Sequence, residues 1–100
     1  MTTNIVETVR ALIPDHEVKD VGDRQVELYG AGGLNLSVMF NINPDMTIDY
    51  ARFCCAPFIH TATGERQLGH WHNWPFDVMY MEVEPKRLQE LFQEMNNYKL

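Results

Sequence analysis

Apolar side chains recur along this chain with two different periods, and each period predicts a kind of element. Near the start, Ile5, Val6, Val9, Leu12 and Ile13 fall on one face at helical spacing. Asn4, with Glu7 three residues on, supplies the N-cap and N3 pair of a capping box, so a first helix is predicted from about Asn4 to Ile13. Pro14 ends it: the residue before a proline is pushed out of the helical region, and the proline has no N–H to continue the ladder. Near the other end, Glu84-Pro85 reads as an N-cap and first helical position. Leu88, Leu91, Phe92 and Met95 then line one face of a closing helix.

Between the helices the period falls to two. Leu34, Leu36, Val38, Phe40 and Ile42 alternate with Asn35, Ser37, Met39, Asn41 and Asn43, the pattern of a strand with one buried and one wet face. Upstream, His16 to Val21 and Arg24 to Tyr29 flank Gly22-Asp23 as a hairpin, with Val26 and Leu28 directed to the core. Downstream, Asn43-Pro44-Asp45-Met46 supplies a proline-initiated turn. Thr47 to about Ile59 is the returning strand, with Ala51, Phe53 and Cys55 alternating against Tyr50, Arg52 and Cys54. Pro57 cannot donate to a ladder, which predicts a bulge or an edge there. Thr61 to Glu65, centred on Gly64, is a further turn, followed by extended runs from Gln67 to His72 and from Asp77 to Val83. The fold class is therefore α+β: an N-terminal helix, an antiparallel β-meander of four to six strands and a C-terminal helix, both helices packed on one sheet face.

One hundred residues make a single domain, 1–100, with one hydrophobic core. Fourteen acids against eight bases give a net charge of −6, which opposes direct binding to nucleic acid and to anionic membrane and favours a partner with a basic surface. No apolar run approaches the roughly 20 residues that span a bilayer, and Met1-Thr2-Thr3-Asn4 lacks the start of a signal peptide. A cytoplasmic protein is the expectation. Cys54 and Cys55 are adjacent and have no third cysteine to pair with, as expected of two reduced thiols.

Candidate chemistry gathers between His60 and Asp77. Gly30-Ala31-Gly32-Gly33 is not part of it, because no Lys and Ser/Thr follow and no helix opens behind it as a phosphate loop requires. His70 and His72 project from one face of an extended segment about 7 Å apart, a spacing that suits two ligands of a zinc ion, with His60 or Cys54 closing the set. No Cys-x-x-Cys or His-Glu-x-x-His motif supports that site, and no cofactor is implied. Cys54 or Cys55 as a nucleophile beside one of these histidines is the thiol version of the same enzyme reading, and their strand setting supplies nothing that lowers a thiol pKa.

The leading expectation is recognition. His70, Trp71, His72, Trp74, Phe76 and Asp77 combine the residue types that carry contact area at interfaces. They are the expected contact surface of a non-enzymatic protein-binding module, an inhibitor or adaptor acting on a larger protein. In size and charge alone, the chain is similar to phage and plasmid proteins that bind and block nucleic-acid-handling machines. A small metal-dependent or thiol enzyme using Cys54, His60, His70 and His72 is the alternative. Open strand edges also admit a homodimer through the sheet.

Overall fold

The computed structural model describes residues 4–22, 24–68 and 81–98. Its elements run α1 (Ile5–Leu12), β1 (Lys19–Gly22), β2 (Gln25–Tyr29), β3 (Asn35–Ile42), β4 (Ile48–His60), β5 (Arg66–Leu68), β6 (Met81–Val83) and α2 (Pro85–Asn97). Strands β1 to β5 pair in chain order and β6 pairs with β4, all antiparallel. This is the α+β meander expected from the hydrophobic pattern.

The capping chemistry that predicted α1 is present. Asn4 is extended and its Oδ1 accepts the N–H groups of Val6 at 2.8 Å and Glu7 at 3.4 Å, which satisfies two donors the helix cannot. Helix α2 starts at Pro85 behind Glu84, whose side chain makes no cap hydrogen bond. Leu88, Leu91, Phe92 and Met95 are its buried face. They join Ile5, Val9 and Ile13 of the first helical segment in one core with Val26, Leu28, Leu36, Val38, Phe40, Phe53, Cys55 and Val83. Val26 pairs with Val38, Val38 with Cys55, Phe40 with Phe53 and Phe53 with Val83, so the strand members of that core share one sheet face. Both helices cover that face. The Gln89 amide also donates to the Leu12 carbonyl at 2.7 Å, tying α2 to the end of α1.

Three of the hairpin loops are built alike. Gly30, Asn43 and Thr61 each donate to the carbonyl four residues on, at 3.0, 2.8 and 2.8 Å. Gly33, Met46 and Gly64 each donate back to the carbonyl three residues earlier, at 3.3, 2.9 and 2.9 Å. The donor in that second bond sits at positive φ every time: 95° at Gly33, 71° at Met46 and 86° at Gly64. A three-residue loop closed by a left-handed residue matches the twist of the strands it joins, and glycine fills that place at least cost.

Four expectations need correction. Ile42 belongs by alternation to the buried face, yet at the end of β3 it is 47% exposed. The second face is not simply wet, since Glu27, Asn35 and Asn41 are buried on it. Strand β4 does not alternate smoothly: Phe40 pairs with Phe53 but Asn41 pairs with Asp49, leaving Tyr50, Ala51 and Arg52 as a wide bulge. At Pro57 the register with Leu36 on β3 is unbroken; on the opposite edge, pairing stops at Phe58–Leu68 and resumes at Cys55–Met81. The missing N–H of Pro57 is thus tolerated where, among the described residues, one side of β4 has no paired strand. In the first hairpin Gly22 pairs with Gln25, so Gly22 belongs to β1 and not to the turn as expected.

Candidate interaction surface

The residues singled out from sequence divide sharply. His70, Trp71, His72, Trp74, Phe76 and Asp77 lie outside the described residues. The chain leaves the described part at Leu68, opposite Phe58, and re-enters at Met81, opposite Cys55, on the same edge of β4. The other two, Cys54 and His60, are both in β4. They lie six positions apart along the strand, about 20 Å at 3.3 Å per residue, so a single metal ion with bonds near 2 Å cannot take both. The same distance prevents them from acting as a nucleophile and base pair. Among the described residues, no group of three metal-ligating side chains is assembled.

Neither thiol is activated. Burial raises the Cys54 pKa, with the Glu82 carboxylate adding to the effect, and burial raises that of Cys55 much further, with Cys54 adding to it. Both therefore remain protonated at neutral pH, as expected of thiols held away from cations.

The second sheet face carries a polar and aromatic cluster around Tyr29. Its hydroxyl donates to Glu27 Oε1 at 2.8 Å, and Lys19 Nζ stands 5.3 Å from the ring centroid. The side-chain hydrogen bond with Tyr29 is the main cause of a raised Lys19 pKa, and the ring and nearby carboxylates reinforce it. His60 meets Tyr29 and Phe58 edge-on, with centroids 5.7 and 5.4 Å apart. On the other side of the molecule, His16 Nε2 bonds the Tyr29 carbonyl at 2.9 Å and its ring packs on Phe92 at 4.5 Å. His16 is thus held within the scaffold, while His60 keeps an exposed ring at the end of β4.

A different end of the sheet has the features of a contact surface. Ile42, Met46 and Tyr50 are the exposed large hydrophobic residues among those described, at 47%, 81% and 47%. All three belong to the β3–β4 hairpin. The bulge after Asp49, where Asp49 Oδ1 accepts the Ala51 N–H at 2.9 Å, brings the Tyr50 ring edge-on to Phe40 at 5.0 Å. Tyr50 borders a hollow of about 420 Å³, walled also by the start of α1 (Asn4, Ile5, Val6), the first hairpin (Asp20, Gly22, Arg24) and Phe40 and Ile48.

Comparison with known protein families, with curated proteins and with solved structures gives no match at any of the three levels. The surface has to be judged on its own chemistry. Sequence reasoning treated Ile42 and Tyr50 as ordinary strand alternation and Met46 as part of a proline-initiated turn. One signal was available: the turn at Asn43–Thr47 contains no glycine, although the other two loops of the same length do.

Proposed function

We propose that the protein acts by binding another protein rather than by catalysis, as a small inhibitor or adaptor of a larger partner. The supporting observation is the gathering of Ile42, Met46 and Tyr50 at one end of the sheet, where Tyr50 borders a hollow large enough for one or two apolar side chains. Exposed apolar groups that cluster, rather than scatter, mark binding surfaces. The net charge of −6 favours a partner with a basic surface. A homodimer through the sheet edge has less support, because the outer strand β1 is four residues long, irregular between Asp20 and Gly22, and carries exposed Lys19 and Asp20. Those features discourage strand addition.

Two surfaces are then candidates, the hairpin end and the aromatic segment from His70 to Asp77, and one experiment separates them. Tagged protein is used for quantitative affinity capture from the host, alongside Ile42→Ser/Tyr50→Ser and Trp71→Ala/Trp74→Ala variants shown to be folded. A stoichiometric partner whose recovery falls with either pair, and with rising salt, is the expected result. Recovery of no protein above a charge-matched control would defeat the proposal.

A further inference from the structure

Met46 is one of two described non-glycine residues at positive φ, with Arg24 at 61°, and it departs from the two other loops of its own kind. The same three-residue loop occurs three times, and its left-handed position is glycine at Gly33 and Gly64 but methionine at Met46, with φ 71°. A side chain in the left-handed region is disfavoured by contact between its Cβ and the backbone, and methionine has no polar group to offset that locally. Burial gives no compensation, since Met46 is 81% exposed. Folding stability alone therefore selects glycine here. Local departures from the stable choice are expected where function uses the side chain.

Methionine suits such a use, being unbranched, polarizable and adaptable against an apolar partner. Its neighbours in the hairpin are Asp45 and Asp49, while Arg24 stands in the wall of the hollow and Arg52 at the far end of the bulge. Thr47 donates to Asp45 Oδ1 from its backbone N–H at 3.1 Å and from its hydroxyl at 2.5 Å, and these bonds hold the carboxyl below the usual carboxylate pKa. Asp45 is thus a fixed negative charge next to Met46. A second copy of this chain, a nucleic acid or an anionic membrane would each meet that charge, and the net −6, with repulsion.

We infer that Met46 is the anchor of a docking surface for a basic protein segment, whose apolar side chains pack on Met46, Ile42 and Tyr50 and enter the adjoining hollow while its Lys or Arg residues face Asp45 and Asp49. This rests on the protein-binding reading and adds the partner's chemistry and the anchor's identity. The test uses a random peptide library displayed on phage, selected against the full chain, together with Met46→Gly and Met46→Asn variants. Enriched peptides should combine apolar with Lys or Arg residues, shift amide resonances of residues 42–50, and bind Met46→Gly at least tenfold more weakly. The Met46→Gly melting midpoint should meanwhile rise by about 2–5 °C, the opposite of what a structural role for Met46 would give. Peptides that bind elsewhere, lack basic residues or bind Met46→Gly equally well would overturn the inference while leaving protein binding intact. Failure to enrich any peptide would count against both.

Discussion

Replacing Gly30 by alanine tests the packing of the β2–β3 loop against α2. A Cβ at this position would lie 2.4 Å from the Leu34 carbonyl oxygen and 3.3 Å from Met95 Cε. That oxygen is also the acceptor of the Gly30 N–H at 3.0 Å, so moving it away opens the bond that closes the loop. Retreat on the other side is blocked, because Met95 is fully buried in the core. Losing one hydrogen bond costs about 1 kcal/mol and overpacking adds roughly 1–3, so the expected destabilisation is about 2–4 kcal/mol. For a domain of this size that lowers the melting midpoint by roughly 10–25 °C. Gly64→Ala is the control: nothing lies within 4 Å of its added Cβ, and only the left-handed φ of 86° opposes it. Its cost should be about 1–2 kcal/mol. Urea and thermal melts followed by circular dichroism would measure both. If Gly30→Ala proved the milder of the two, or fell below about 1 kcal/mol, the assignment of that glycine to steric clearance would be wrong.

Two further outcomes follow from charge and burial. At pH 7.5 a maleimide or iodoacetamide reagent should modify Cys54 more slowly than an exposed model thiol and leave Cys55 untouched until denaturant is added, since burial raises both pKa values. Rapid labelling of both in the native protein would contradict their placement in β4. The Asp45 pKa is lowered in the folded protein, chiefly by the Thr47 side-chain hydrogen bond, so its contribution to stability is present above the unfolded pKa and is lost as pH falls through the folded one. Asp45→Asn should accordingly lower stability at pH 7 and flatten its decline between about pH 5 and pH 3, converging with the unsubstituted protein at low pH, as pH-dependent urea midpoints would show.

Both helices were legible in the sequence because their signals are local: a side-chain cap at Asn4, a proline stop after Ile13, Pro85 at a first turn and an apolar stripe from Leu88 to Met95. The β3 strand was legible for the same reason up to Phe40. Reading failed where tertiary geometry sets the outcome. The bulge at Tyr50–Arg52 is invisible to a period-two pattern, because three unpaired residues on one strand change register without leaving a local signal. Burial of Glu27 likewise depends on what surrounds the second face and not on its neighbours in the chain. The candidate surface was misread through Met46, since a missing glycine is noticed only when the same loop is seen elsewhere with one. Of the proposed metal set, the separation of Cys54 from His60 follows from their lying along one extended run, which the sequence places there as far as Ile59.

The order of connections also bears on how the chain reaches this fold. Each link from β1 to β5 spans two to five residues, so sheet pairing closes only short loops. The bond from Gln89 to Leu12, by contrast, joins residues 77 positions apart. Short-range pairing is entropically cheap and rapid, whereas α2 follows every strand in the chain. During synthesis the sheet therefore exposes Val38, Phe40, Phe53 and Cys55 before the helix that covers them has left the ribosome. In that interval the nascent protein would depend on chaperones or on speed to escape aggregation.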